Sequence, residues 1–204
     1  MKQAIIVGAS SGLGYELAIQ LAAKGYQLGL MARRESLLEE LQAKLPGEHF
    51  IQVTDVTEAE TSQQQLKDLI ARMGDVELIV LSSGVGLYEK KLDWTLEREM
   101  IDVNVRGFAA LSIVSMDHFM ARGAGHLAGI SSVAAHMSGG LTLTYHATKA
   151  FVSNYLAGMR SRAARSGLPI TITTIEPGFV KTPMVQGNPV WMAPVEKGVA
   201  QMVA

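Results

Sequence analysis

The chain has 204 residues, of which 48% are hydrophobic and 18% charged, and this indicates one folded domain with a sizeable core rather than a disordered chain. Its 18 lysines and arginines against 19 acids give a net charge of −1, without the basic excess expected of a protein that neutralises nucleic-acid phosphates. The absence of cysteine excludes disulfides, thiolate metal sites and a cysteine nucleophile.

Short apolar runs alternate with longer amphipathic stretches along the chain. Six of the runs predict buried parallel strands, at residues 4–7, 28–32, 50–53, 76–81, 126–130 and 170–175. Helical patterns stand between or after them, at residues 13–24, 36–45, 58–73, 97–122 and 144–166. This alternation predicts a single α/β domain of three layers, a doubly wound parallel sheet with helices on both faces. We find no signal peptide and no membrane-spanning run, and therefore expect a cytoplasmic protein.

A glycine-rich turn joins the first predicted strand to the first predicted helix. Glycine allows positive φ and lets backbone N–H groups approach a pyrophosphate at a helix N-terminus. The spacing is G-x-x-x-G-x-G rather than the general dinucleotide fingerprint G-x-G-x-x-G, so a turn without a ligand is the alternative. The candidate cofactor contacts of this turn are Gly8, Ser10, Ser11, Gly12, Leu13 and Gly14.

Two arginines follow the second predicted strand. An NAD site normally has an acid near this position for the ribose 2′-hydroxyl, but the chain has Ala32, followed by Arg33 and Arg34. Guanidinium groups match a 2′-phosphate, so the sequence predicts that NADP(H) is preferred over NAD(H). The alternative is a solvated basic turn, paired with the nearby acids Glu35, Glu39 or Glu40.

Further candidate cofactor contacts follow the third and fourth predicted strands. Asp55, with Val56 beside it, is placed to accept a hydrogen bond from an adenine amino group or to stand at a helix N-terminus. Ser82, Ser83 and Gly84 follow the fourth strand. Open α/β sheets bind ligands at the carboxyl ends of their strands, so these loops are predicted to converge.

Four polar residues in the second half of the chain form a candidate catalytic group. Tyr145 and Lys149 are four residues apart on a predicted helix and therefore share a face. Ser132 stands at the end of the fifth predicted strand, thirteen residues before Tyr145. Asn104 lies inside an otherwise apolar helical pattern, where its amide either bonds backbone groups or has a functional role.

In these motifs the chain resembles the short-chain dehydrogenase/reductase family, over essentially its whole length. The resemblance rests on the turn at residues 8–14, Asp55-Val56, Asn104, Ser132, the Y-H-A-T-K pattern that ends at Lys149, and P-G-F-V-K-T at residues 177–182. It implies a Rossmann-type sheet of strand order 3-2-1-4-5-6-7. It also implies an NADPH-dependent enzyme that interconverts a carbonyl and an alcohol by hydride transfer.

The resemblance implies a role for each of the four residues. Tyr145 would be the general acid/base, Ser132 would orient the carbonyl, and Lys149 would lower the pKa of Tyr145 and hold the nicotinamide ribose. Asn104 would position a water that relays protons through Lys149. The nicotinamide carboxamide would be placed by Pro177, Gly178, Val180 and Thr182.

Three departures from the family pattern are evident. Val7 stands where the family commonly has threonine, and Leu81-Ser82-Ser83-Gly84 where it commonly has Asn-Asn-Ala-Gly. The chain ends at Ala204, before the family's seventh strand, so we expect strand order 3-2-1-4-5-6 and an incomplete C-terminal end. Within the domain we expect a cofactor half at about residues 1–90 and a catalytic and substrate half at about 91–204.

The remaining expectations concern the substrate, metals and partners. Met184, Trp191 and Met192 fall where the family has its substrate lid, which suggests an apolar carbonyl compound, although packing against a missing segment explains them equally well. His136 is a candidate for the pocket border, whereas His146 is expected to point about 100° away from Tyr145. The histidine spacings do not indicate a metal site.

A homodimer or homotetramer is expected, because the family pairs two long helices across two-fold axes. These correspond to residues 105–121 and 144–165, where Ala147, Ala150 and Gly158 would allow close approach. A regulatory module that senses NADP(H) and binds a protein partner without turnover is the alternative function. The presence of all four catalytic residues favours the enzyme.

Overall fold

The computed structural model describes residues 1–87, 91–184 and 191–203. Within them the chain forms one sheet of six parallel strands in the order β3-β2-β1-β4-β5-β6, as predicted. Each strand lies within one residue of its predicted position. The strands are β1 (Gln3–Val7), β2 (Gln27–Ala32), β3 (Phe50–Val53), β4 (Val76–Leu81), β5 (Gly125–Ile130) and β6 (Ile170–Ile175).

Seven α-helices accompany the sheet in the described ranges. They are α1 (Gly12–Ala23), α2 (Glu35–Lys44), α3 (Ala59–Met73), α4 (Trp94–Ile101), α5 (Phe108–Arg122), α6 (Leu143–Ser166) and α7 (Val195–Met202). A 3₁₀ turn at Val133–His136 follows β5. In the part of the chain that the structure describes, none of the helices combines the length and apolarity needed to cross a membrane.

The region predicted to be helical at residues 97–122 is helical throughout, but it is not a single α-helix. A π-helical turn, Asp102–Gly107, lies between α4 and α5. Gly107 at its end packs against main chain, because an added Cβ would collide with the carbonyl oxygen of Val56. Helical periodicity in the sequence does not reveal such a turn.

Both faces of the sheet are covered, which confirms the doubly wound arrangement. Along β1, Ile5 and Val7 belong to the apolar cluster on the face covered by α3, α5 and α6. Ala4 and Ile6 belong to the cluster on the other face, with α1, α2 and Val199 of α7. This alternation is the period of a strand, and a central parallel strand is buried on both faces.

Val7 and Leu81, the last residues of β1 and β4, both depart from the family pattern and lie next to each other. Val7 and Leu81 are partners in the β1–β4 register, and each is only 1% exposed. Where the family commonly has polar side chains, an apolar pair therefore fills the same part of the core. Beyond it, the Ser82 N–H donates to the Val7 carbonyl at 2.8 Å and continues the ladder into the loop.

Candidate active site

A cavity of about 510 Å³ lies at the carboxyl ends of the strands. Its wall combines the turn after β1, the loops after β2, β4 and β5, the start of α6 and the segment after β6. The structure thus brings the predicted cofactor and catalytic residues to one cavity. Of the residues predicted to bind cofactor or to be catalytic, three do not line it: Gly14, Asp55 and Asn104.

The glycine-rich turn is shaped by close main-chain approaches. Gly8 has φ +91°, and a Cβ added there would lie 2.5 Å from the backbone nitrogen of Ser83. Gly12, at the N-terminus of α1, has φ +58° and faces Thr182, 3.5 Å from an added Cβ. A Cβ on Gly14 would collide with the carbonyl oxygen of Gly8, so Gly14 closes the turn from behind the cavity wall.

The two arginines after β2 lie at the same end of the cavity. Arg34 donates to the hydroxyls of Ser10 at 2.8 Å and Ser11 at 2.9 Å. The Arg33 guanidinium lies 3.9 Å from the Asp55 carboxylate and forms an ion pair with it. Both side chains are partly exposed. The predicted alternative of a basic turn paired with glutamates is thus not what residues 1–87 show. Both guanidinium groups line the cavity.

Asp55 shapes the segment between β3 and α3. Its Oδ1 accepts from the backbone N–H of Thr57 at 3.0 Å and from the Thr57 hydroxyl at 2.8 Å. The helix itself begins later, at Ala59 with Glu58 before it, so Asp55 is a turn residue rather than the N-cap. Val56, beside it, does line the cavity.

Ser132, Tyr145 and Lys149 come together at the other end of the cavity. The side chains of Tyr145 and Ser132 lie close enough for Ser132 to lower the pKa of the phenol, against the effect of burial. The Lys149 ammonium lies 5.7 Å from the centroid of the Tyr145 ring and donates to the carbonyl of Ile130 at 2.9 Å. Ser132 also accepts from the Ala134 N–H at 3.1 Å, which fixes the 3₁₀ turn after β5.

Burial moves the pKa values of the two titratable groups in opposite directions. It lowers the pKa of Lys149 from 10.5 to about 8, since a buried ammonium loses its hydration. It raises the pKa of the Tyr145 phenol, while the hydrogen bond from Ser132 acts in the lowering direction. The expectation that Lys149 lowers the pKa of Tyr145 did not include the burial of the phenol. Without bound cofactor, this burial has the largest effect on the Tyr145 pKa and raises it.

Asn104 lies in the π-helical turn and joins two segments of the site. Its Nδ2 donates to the Val85 carbonyl at 2.8 Å and to the Thr148 hydroxyl at 3.1 Å, and its Oδ1 accepts from the Val85 N–H at 2.9 Å. The sequence left open whether this buried amide bonds backbone groups or has a functional role, and the structure shows that it bonds the backbone of Val85. A Cβ added to Gly84 would lie 3.4 Å from both Asn104 Oδ1 and Lys149 Nζ.

A hydrogen-bonded chain behind the cavity escaped the sequence analysis. His136 does not line the cavity; its Nε2 lies 2.9 Å from Oε2 of Glu176. The other oxygen of Glu176 accepts from Ser153 at 2.6 Å, and Ser131, which lies 2.7 Å from Ser153 and 2.9 Å from the Lys149 carbonyl, has one proton to donate to either of them. These bonds hold the pKa of the Glu176 carboxyl below its usual range. The only sequence signal was a carboxylate directly before Pro177.

His146 lines the cavity, a position that its spacing from Tyr145 on the helix did not predict. Its ring meets the Tyr145 ring edge to face, with centroids 6.0 Å apart. The two residues do diverge around α6, but they lie in its first turn, where the preceding loop folds against the ring and extends the cavity wall. Of the predicted lid, Met184 lines the cavity and Trp191 and Met192 do not, while residues 185–190 lie outside the described residues.

Comparison with known proteins identifies the family. The family profile described as short chain dehydrogenase matches residues 2–192. The chain belongs to this family. An uncharacterized oxidoreductase of Staphylococcus epidermidis is 31% identical over 189 residues, which are 92% of this chain and 81% of that protein.

Solved structures of this short-chain dehydrogenase's relatives have the same fold. A short-chain type dehydrogenase/reductase from Mycobacterium ulcerans matches with a TM-score of 0.90 at 20% identity, over 99% of this chain and 82% of that one. The structure of ElxO with NADP bound matches with a TM-score of 0.82 at 22% identity, over 89% of this chain and 75% of that one. The chain is thus an oxidoreductase-family protein with the Rossmann fold of short-chain dehydrogenases.

Proposed function

We propose that the protein is an NADPH-dependent oxidoreductase that interconverts a carbonyl and an alcohol. The observation that carries this proposal is the proximity of the Tyr145 phenol to Ser132 and to the buried Lys149 ammonium. These groups line the same cavity as the glycine-rich turn. A carbonyl whose oxygen contacts Tyr145 and Ser132 would therefore share the cavity with a bound dinucleotide.

The first end of the cavity fits a dinucleotide phosphate. The N-terminus of α1 supplies unpaired backbone N–H groups, and side chains at Gly8 and Gly12 would fill the space beside them. Arg33, Arg34 and the hydroxyls of Ser10 and Ser11 would hold a 2′-phosphate. The structure of ElxO, which has the same fold, contains NADP, and this supports the proposal that NADP(H) binds here. When bound, NADPH supplies the hydride that reduces the carbonyl carbon.

The protein's own residues supply the proton. With its pKa raised by burial, Tyr145 carries its proton at neutral pH and can transfer it to the carbonyl oxygen. Ser132 donates a hydrogen bond to the same oxygen and orients it. The Lys149 ammonium then stabilises the phenolate that forms, and with a pKa of about 8 it can pass a proton back to Tyr145. Asn104 holds the loop after β4 against α6 and would position a relay water.

The test is consumption of NADPH, with NADH in parallel, against a panel of aldehydes, ketones and quinones. We expect turnover with NADPH in preference to NADH. Tyr145→Phe should reduce kcat by about 1,000-fold or more, because the proton donor is removed, while NADPH binding is kept. Equal turnover by wild type and Tyr145→Phe would contradict the catalytic role. Tight NADPH binding by a wild type that reduces no panel member would instead support the sensing module.

We also infer a homodimer or homotetramer that pairs α5 and α6. The exposed face of these helices has a groove lined by Ile113, Met116, Tyr155 and Gly158. A Cβ on Gly158 would have no neighbour within 4 Å, which leaves room for a second helix. Light scattering on the purified protein should give twice or four times the 21.9 kDa chain mass, and a monomer would contradict this inference.

A further inference from the structure

The cavity has several large apolar side chains in its wall. They include Leu87, Met137, Phe179 and Met184. A Cβ added to Gly86 would lie 3.1 Å from the Tyr145 ring and 3.4 Å from the sulfur of Met184, so this part of the wall adjoins the proton donor. An apolar substrate body fits such a surface.

His146 is one of the polar residues that line the cavity. Its Nδ1 lies 2.8 Å from the carbonyl oxygen of Thr142 and 3.1 Å from the Thr142 hydroxyl. The loop before α6 packs closely on this side of the ring, because a Cβ on Gly139 would collide with it. The position of the imidazole is thus set by its own loop.

These contacts decide which ring nitrogen carries the proton in the neutral imidazole. A carbonyl oxygen can only accept a hydrogen bond, so Nδ1 must be the donor towards Thr142. Nε2 is then an acceptor with a free lone pair. It has no hydrogen-bond partner among the described residues. The ring lines the cavity, and this lone pair is the acceptor that the described residues leave free.

We propose that Nε2 of His146 accepts a hydrogen bond from a substrate hydroxyl, and that the preferred substrate is an apolar carbonyl compound with a second, hydroxylated carbon. This inference rests on the proposed carbonyl chemistry at Tyr145. The edge-to-face packing of the two rings, 6.0 Å between centroids, places the hydroxyl within a few carbon–carbon bonds of the reacting carbonyl. His146 is accordingly a specificity-determining residue rather than a proton donor.

Matched cyclohexanones test the proposal. They carry a hydroxyl, methyl or methoxy group at carbon 3 or 4; the methyl group has no polar atom, and the methoxy oxygen cannot donate. With NADPH and wild-type protein, we expect kcat/KM for a hydroxy compound to exceed that of both its partners by about tenfold. His146→Phe keeps a ring without an acceptor and should abolish this ratio. His146→Gln offers an amide oxygen and should restore part of it, whereas Met137→Leu should keep the ratio.

A binding measurement separates recognition from chemistry. Dissociation constants of the same compounds are measured by calorimetry on NADPH-saturated Tyr145→Phe protein, with and without His146→Phe. We expect about tenfold tighter binding of the hydroxy compound only where His146 is present. Such a preference without wild-type turnover would contradict the proposed reaction but not the hydrogen bond. Absence of a preference in the wild type, or a preference that survives His146→Phe, would overturn the inference.

Discussion

At the cofactor end of the cavity, main chain meets main chain at glycines, whereas at the catalytic end buried side chains hold one another. Gly8 and Gly14 are required because backbone atoms occupy the space of their missing Cβ atoms. Lys149 and Asn104 are instead 4% and 1% exposed, and each donates to a backbone carbonyl of another segment. The structure of the cofactor end therefore depends on glycine at particular positions, whereas the structure of the catalytic end depends on packing between distant segments.

This contrast extends to electrostatics. Arg33 and Arg34 interact through partly exposed guanidinium groups, where solvent screens the charge. At the catalytic end, burial displaces the pKa values of both Lys149 and Tyr145. Charge changes should accordingly alter ligand affinity at the first end, and both stability and activity at the second.

Gly14→Ala should have the largest effect on the cofactor end. Its Cβ would meet the Gly8 carbonyl oxygen, and neither main-chain segment can move without breaking the turn. We expect a loss of about 3 kcal/mol or more in the free energy of unfolding, with NADPH affinity reduced by about 100-fold. Urea unfolding and cofactor titration measure both. Gly140→Ala is the matched control, because its Cβ has no neighbour within 4 Å; equal effects of the two changes would contradict the backbone argument.

Lys149→Met should alter the pH dependence of stability. A lysine pKa of about 8 in the folded state and 10.5 in the unfolded state means that the unfolded chain binds more protons between these values. The wild type should therefore gain about 3 kcal/mol of stability from pH 7 to 10.5, a gain that the variant lacks. Tyrosines other than Tyr145 titrate alike in both proteins and cancel in their difference. Parallel pH profiles from urea unfolding would show that the pKa of Lys149 is not lowered in the folded protein.

Arg34→Gln sharpens the comparison from the cofactor side. We expect NADPH affinity to fall by about tenfold and NADH affinity to fall much less, because the 2′-phosphate is present only in NADPH, whereas the hydrogen bonds to Ser10 and Ser11 are lost for both cofactors. Stability should change little at this exposed site. Fluorescence titration with both cofactors measures the preference for NADPH over NADH. An equal loss of affinity for the two would mean that Arg34 stabilises the glycine-rich turn and does not bind the 2′-phosphate.

Glu176→Gln should have the smallest effect, because it removes a charge without removing the side chain. Gln can still accept from Ser153, so Ser131 and the Lys149 carbonyl keep their links. We expect kcat to fall by about threefold, with the KM for NADPH unchanged. Ser153→Ala, which cuts the chain itself, should lower kcat further. Unaltered kcat in both variants would mean that this chain does not position the catalytic residues.

Much of the site could be predicted because its signals are local. The apolar runs located all six strands, and strand order followed from the family resemblance. The spacing of Tyr145 and Lys149 on one helix predicted that they share a face, and Ser132 joins them where β5 ends. Their catalytic roles stay predictions.

Other features depend on contacts between residues far apart in the chain. Three features of the site were not predicted from the sequence. They are the π-helical turn, the chain from His136 through Glu176 to Ser131, and the place of His146 in the cavity wall. The direction of the Tyr145 pKa shift belongs here too, since burial has no counterpart in a sequence motif.

The amino-acid sequence by itself determined the strands, the glycine-rich turn, the family and the catalytic candidates, because periodicity, glycine placement and helix spacing act over a few residues. Only the tertiary structure decided which polar atoms are satisfied, which groups are desolvated and which side chains face the cavity. These properties depend on what surrounds an atom in space, and residues that surround one another in this fold come from strands and loops tens of residues apart.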